Sequence, residues 1–281
     1  MMRDLVALTK PRISVLNVAM TGAGLALAGR PVPTGVVAAT LVGTLLLVGS
    51  ANTLNMYLER DIDGRMARTR RRPLPAGRLR PGVALWFGVA QTLVAVPLLT
   101  FGANALCGLL GTLALLGYVL VYTPLKQHTV HALLVGAVPG AMPPLLGWTA
   151  ASGSISAAAL ALFAVLFLWQ IPHFLAIALF QGKDYRAAGL KVLPNERGPE
   201  ATRRAIVVTL VLQVLVTLSL VPLGLGGPAY LAGAALLGAF MLGWGVAGLV
   251  RRQRAGAAWA RGLFMATLAY LPLLFALLVA S

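Results

Sequence analysis

Between residues 35 and 58 the chain reads GVVAATLVGTLLLVGSANTLNMYL, a stretch without one charged side chain. A helix of about 20 such residues crosses the hydrocarbon core of a bilayer. Water is absent there, so the backbone must satisfy its own polar groups, which leaves helices or closed barrels. Comparable runs recur along the chain and predict nine spans, at 13–29, 35–58, 83–101, 104–123, 131–150, 156–180, 204–224, 228–250 and 262–280. Charged residues make up 11% of the sequence, far below the roughly 25% of soluble domains. The expectation is an all-α polytopic membrane protein, with residues 1–281 forming one integral-membrane domain. Cys107 is the single cysteine and lies inside an apolar run, so no disulfide framework is available.

A formal charge of +16 raises the question of nucleic acid. Drawing the spans answers it. With the N-terminus cytoplasmic, the arm and four inner loops hold 3, 8, 1, 6 and 4 basic residues, which is 22 of 23, and only Arg30 falls outside. Lysine and arginine are retained on the cytoplasmic side, so the basic excess is a topology signal, no nucleic-acid partner is called for, and the C-terminus is expected outside. The first run also contains an Ala26-x-Ala28 pattern that resembles a signal-peptide cleavage site. The paired turns and spans downstream read better with that run retained.

Three of the seven acids, Glu59, Asp61 and Asp63, sit where the second run meets a block of arginines, in NTLNMYLERDIDGRMARTRRRP. If the helix continues to residue 63, Asn55, Glu59 and Asp63 follow an i, i+4, i+8 spacing. Each step turns the helix by about 400° and rises about 6 Å, so the three share one face. Asp61 lies about 200° from Glu59 and is placed to pair with Arg65. Oxygen ligands on one face suit Mg²⁺, which takes one or two carboxylates and bridges to phosphates. The arginines that follow offer forks for phosphate. The competing reading is a solvated loop whose acids neutralise their neighbours while the arginines serve topology and anionic lipid.

Other polar groups near spans carry similar double readings. Lys126, in YTPLKQHTVH, is either a diphosphate contact or a snorkelling anchor. Gln170 and His173 lie within the sixth span on either side of Pro172, and polar groups there face a bundle interior or a cavity. Asp184, beside Lys183 and Arg186, is a surface pair or a second acid at a second helix end. The histidines, His128, His131 and His173, are too scattered in sequence for a zinc site, though any could approach a haem. The fifth run, HALLVGAVPGAMPPLLGW, is rich in the small residues and prolines that allow close helix packing. No paired CxxC, Walker loop, GxSxG or HExxH occurs.

The order Asn55-x-x-x-Glu59-Arg60-x-x-Asp63-Gly64, then RTRRRPLPAG, resembles the first acidic motif of the UbiA-type intramembrane prenyltransferases, Asn-Asp-x-x-Asp-x-x-x-Asp followed by Arg-Thr-x-x-Arg-Pro-Leu. Met56 replaces the Asp after Asn, and Glu59 replaces the first metal-pair Asp. Those departures, with LTKPRISVL, YTPLKQHT, GAVPGAMPPLLGW and WQIPHF followed by KDYRAAGLKVLP, are similar to the haem O synthase branch. The resemblance covers residues 8–194, about two-thirds of the chain. It implies about nine helices around a central cavity in a bacterial inner membrane, with the active site facing the cytoplasm. It implies farnesyl diphosphate and haem B as substrates and Mg²⁺ as cofactor. By that resemblance Asn55, Glu59, Asp63 and Asp184 would hold the metal. Arg68, Arg72 and Lys126 would take the diphosphate, and Gln170 and His173 would orient haem. A haem-modifying enzyme or an oxidase assembly factor would follow as partner. A prenyltransferase of quinone precursors is the alternative within the class. A transporter is the remote one, expected to carry its acids at mid-membrane and broken helices in matched halves.

Overall fold

The computed structural model describes residues 1–251 and 256–281. Arg252 and Arg254, counted above toward the last inner loop, lie outside the described residues. Among the described residues nine long helices appear in chain order: α1 Pro11–Leu27, α2 Thr34–Leu58, α3 Pro81–Gly102, α4 Ala105–Leu125, α5 Ala132–Ser152, α6 Ala157–Phe180, α7 Gly198–Ser219, α8 Pro228–Val250 and α9 Ala257–Ala280. Among the described residues there is no strand. Eight of them, α2 to α9, are long and apolar enough to cross a membrane. At 17 residues α1 is the short one, at the lower end of what spans the core. Phe101, 86% exposed, and Trp86, 70% exposed, stand largely uncovered on α3, as lipid-facing aromatics do.

The boundaries follow local chemistry. Pro81 and Pro228 open α3 and α8 at positions whose N–H needs no partner. Asn104 caps α4 by accepting from the Cys107 amide at 2.9 Å, and Ser156 caps α6 through the Ala159 amide at 3.2 Å. Helix α7 begins at Gly198 rather than at 204. Glu200 and Arg204 pair one turn apart at 2.6 Å, so part of the basic loop is helical. Helix α5 breaks at Ala141 into Ala132–Gly140 and Met142–Ser152, where Pro139, Gly140, Pro143 and Pro144 crowd the sequence.

The chain forms two compact units. The first holds Met1–Gln127 and Met142–Ile155, hence α1 to α4 and the second half of α5. In it α2 packs against α1 and α3, and the second half of α5 against α1. The second holds His128–Ala141 and Ser156–Ser281, in which α6 packs against α7, α9 and the first half of α5, and α8 against α7 and α9.

Without hydrophobic driving force in lipid, helix association depends on close van der Waals approach. At α1 and α5 that approach is extreme. A Cβ on Gly147 would sit 1.9 Å from the Thr21 carbonyl oxygen, and one on Gly24 would sit 2.1 Å from that of Pro144. Gly147→Val should therefore destabilise the first unit by about 1–3 kcal/mol, read as a lowered thermal midpoint in detergent. An unchanged midpoint would mean that this contact is not tight.

Candidate active site

The acidic segment keeps its register although the helix does not run on unbroken. Helix α2 ends at Leu58, Glu59 departs from helical geometry (φ −98°, ψ 5°), and a single further turn covers Arg60–Asp63. The i→i+4 backbone bonds nevertheless continue, from the Glu59 amide to the Asn55 carbonyl at 3.0 Å and from the Asp63 amide to the Glu59 carbonyl at 2.8 Å. Asn55, Glu59 and Asp63 are consequently all buried, at 3%, 4% and 1% exposure. The Asp61 side chain is 79% exposed, and its neighbour is Arg60 at 3.9 Å. The expected Asp61–Arg65 pair does not form. Gly64 is still helical, its amide on the Arg60 carbonyl at 3.3 Å, but the next amide, that of Arg65, bonds one residue closer, to the Ile62 carbonyl at 3.0 Å, so the i+4 relation is lost at Arg65.

Each buried carboxylate meets a cation within the first unit. Asp63 Oδ2 accepts from Arg72 Nη1 at 2.6 Å, and the Glu59 carboxylate contacts Lys126 Nζ. Lys126 also lies 5.3 Å from the centre of the Tyr122 ring. Asn55 donates its amide to Thr123 Oγ1 at 3.0 Å, and Thr123 donates in turn to the Tyr118 carbonyl at 2.8 Å. That carbonyl belongs to a π-helical segment, Gly117–Tyr122, at the end of α4. Such bulges re-aim side chains at functional positions; here the bulge brings Thr123 under the Asn55 amide.

The arginine loop is anchored at several points, although most of its arginine side chains are exposed. Thr69, 2% exposed, donates to the Asp63 carbonyl at 2.7 Å and folds residues 64–72 back over the acids. Leu74 and Leu79 pack with Leu8, Met56 and Ala84 in a small core of their own. Arg78 reaches Asp4 at 3.1 Å and ties the N-terminal arm to the loop.

Lys10 completes the cluster and was not singled out from sequence. It is the one non-glycine among the described residues with positive φ, at 48°, a conformation that costs energy and collects at functional sites. The Thr9 carbonyl before it accepts from Ser14 at 2.7 Å and from Asn52 at 3.4 Å, which holds the turn. Burial and Arg72, with a smaller push from Arg68, lower the Lys10 ammonium to about 8 against the pull of Asp63. Burial, and then Lys10, also push Lys126 downward, while contact with Glu59 favours its charged form. The sequence signal for Lys10 was its place beside Pro11, immediately before a span.

Arg72 and Lys126 contact the two carboxylates, and Lys10, which feels Asp63, Arg72 and Arg68, lies within electrostatic reach of them, so the local balance carries an excess of positive charge. A divalent metal alone would worsen that excess, whereas a metal that arrives with a polyphosphate would relieve it. The donor set, two carboxylates and one amide in successive turns, fits Mg²⁺ shared with phosphate oxygens. Among the described residues no group of three His, Cys, Asp or Glu side chains comes together.

The remaining candidates belong to the second unit. Gln170 donates its amide to the carbonyls of Ala137 at 3.2 Å and Leu166 at 3.1 Å. It therefore ties α6 to the first half of α5, and its oxygen lies where a Cβ on Gly140 would be. His173, 8% exposed, is bonded through Nδ1 to Thr267 Oγ1 at 2.7 Å and stacks on Trp169 at 4.8 Å. Phe264 closes on the same ring at 4.8 Å. Asp184 is half-buried on the short helix Gly182–Ala187 that follows α6. His128 and His131, with Lys191, Glu196 and Arg197, line a polar cavity of about 300 Å³.

Known proteins share both sequence and fold with this chain. Residues 17–268 match the UbiA prenyltransferase family. A protoheme IX farnesyltransferase of Sorangium cellulosum is 56% identical over 248 residues, covering 88% of each chain. A solved structure described for digeranylgeranylglyceryl phosphate synthase superposes with a TM-score of 0.83 at 15% identity, over 99% of this chain and 97% of that one. A UbiA homolog from Archaeoglobus fulgidus bound to GPP and Mg²⁺ gives 0.66 at 12% identity, over 98% and 99%. With a family match across nearly the whole of an all-helical, membrane-spanning fold, the chain belongs to the UbiA prenyltransferase family.

Proposed function

We propose that this chain transfers a farnesyl group from farnesyl diphosphate to a vinyl group of protohaem IX, yielding haem O and diphosphate. The observation that carries this reading is the 56% identity to a protein named protoheme IX farnesyltransferase, sustained over 88% of both chains. The whole of residues 1–281 acts as one prenyltransferase domain.

In the reaction the bond between the allylic carbon and the diphosphate oxygen breaks, and the electron pair leaves with diphosphate. The vinyl π electrons form the new carbon–carbon bond. Water captures the resulting cation beside the macrocycle and loses a proton, which gives the hydroxyethylfarnesyl side chain. No covalent enzyme nucleophile takes part. Asn55, Glu59 and Asp63 would hold Mg²⁺, with Asp184 as a further candidate ligand. When bound there, Mg²⁺ supplies positive charge to the diphosphate and its departing oxygen. Arg68, Arg72, Lys126 and Lys10 receive the leaving charge in a water-poor site, where fixed cations act most strongly. What supports these roles is the burial of both carboxylates beneath an excess of cations. A solved UbiA homolog binds GPP with Mg²⁺, which favours the same metal here. Gln170 and His173 are the haem-orienting candidates, and a haem-modifying enzyme or oxidase assembly factor is the expected recipient of product.

Membranes given farnesyl diphosphate, haem B and Mg²⁺ should form a farnesylated, hydrated haem, detected by mass, and EDTA should abolish it. Glu59→Gln and Asp63→Asn should each lower turnover by about 10²-fold or more while the protein still inserts. Near-normal turnover in both variants would overturn the metal-site assignment.

The site faces the cytoplasmic side of a bacterial inner membrane, a reading that the bias of basic residues supports. In a Cys107→Ser background, an impermeant thiol reagent should label Ser154→Cys in intact cells. It should reach Ala76→Cys only after the membrane is opened. The reverse pattern would invert the topology.

A further inference from the structure

The His173 ring is held in a way that packing alone does not explain. Thr267 Oγ1, on α9, lies 2.6 Å from the Phe264 carbonyl oxygen and 2.7 Å from His173 Nδ1. A hydroxyl carries one proton. The carbonyl has none, so so short an oxygen–oxygen contact requires that the hydroxyl proton point at Phe264. Thr267 is then the acceptor toward His173, and Nδ1 must carry its own hydrogen. In the neutral imidazole this leaves the lone pair on Nε2. Among the described residues no hydrogen bond falls on that nitrogen.

The ring is fixed from further directions. Trp169, one turn earlier on α6, stacks on it at 4.8 Å and donates its indole N–H to the Thr267 backbone carbonyl at 2.8 Å. Phe174 meets it edge-on at 5.3 Å. One residue of α9 thereby sets both the plane and the tautomer of a histidine on α6. His173 stands seven residues before the end of α6, about 10 Å along the helix axis. A buried polar ring at that depth with an unused lone pair resembles the arrangement of metal-binding histidines, whose other ring nitrogen is held by a partner that fixes tautomer and orientation.

We infer that Thr267 is a positioning residue that locks His173 as its Nδ1–H tautomer, and that the Nε2 lone pair ligates the iron of the haem substrate. The inference rests on the haem reading proposed above and adds to it how the acceptor is held. Ligation at Nε2 would seat the macrocycle beside the His173 ring.

The test compares binding of haem B and of iron-free protoporphyrin IX to full-length protein in detergent, followed in the Soret band. His173→Gly should weaken haem binding by tenfold or more and shift the spectrum. Added imidazole should restore both, and protoporphyrin affinity should stay unchanged. Thr267→Ser, which keeps the hydroxyl, should behave as wild type. Thr267→Val should weaken haem binding by about tenfold and leave protoporphyrin and farnesyl diphosphate binding intact. Identical haem spectra for wild type and His173→Gly, or equal losses for haem and the iron-free ring, would overturn the inference. If that occurs while wild type still farnesylates haem, the proposed function stands and only the ligation fails. If wild type neither binds nor modifies haem, the function itself fails.

Discussion

Two carboxylates sunk below the end of α2, each against a cation, are the interaction on which the first unit's chemistry depends. An unpaired charge buried at 1–4% exposure would be prohibitively costly, and removal of one partner of such a pair typically costs about 3–5 kcal/mol. Arg72 and Lys126 therefore compensate Asp63 and Glu59 where the carboxylate oxygens could serve a hard metal. The same two cations lie ready for the anion that would accompany the metal. A site of this kind exchanges partners instead of creating them: carboxylates pass from ammonium and guanidinium to metal, and the cations pass to phosphate.

That arrangement explains how a chain with only seven acids concentrates three of them beside its densest arginine run. The loop holds its shape through ordinary means, a threonine bonded to the Asp63 carbonyl and leucines packed beneath. Arg72 and Arg78 are held in place by Asp63 and Asp4. The π-helical turn at the end of α4 accepts from Thr123, which in turn receives the Asn55 amide. Lys10 is fixed by a strained turn. Several backbone irregularities in one unit thus converge on one small set of polar side chains.

Much of this was legible in the sequence, for physical reasons. A bilayer demands about 20 apolar residues per helix, so the spans stand out, and even α1 is visible despite its shortness. Four-residue spacing separated Asn55, Glu59 and Asp63 from Asp61 without knowledge that the helix would break at Glu59, because the i→i+4 bonds survive the break. What could not be read was anything that depends on contact between distant segments. The Asp61–Arg65 pair does not form because the backbone tightens after Gly64, with the Arg65 amide on the Ile62 carbonyl. Lys10 joined the cluster through the fold of the N-terminal arm, and Thr267 is 94 residues from the histidine it holds. The start of α7 was misplaced because charged residues in its first turns concealed helix that extends beyond the apolar run.

Titration of inorganic diphosphate into the purified protein, with and without Mg²⁺, tests the central claim most directly. If the acids are there for a metal that arrives with the anion, Mg²⁺ should tighten diphosphate binding by tenfold or more in wild type. It should have no such effect when Glu59→Gln and Asp63→Asn are combined. Equal diphosphate affinity with and without Mg²⁺ in the wild-type protein would contradict the account.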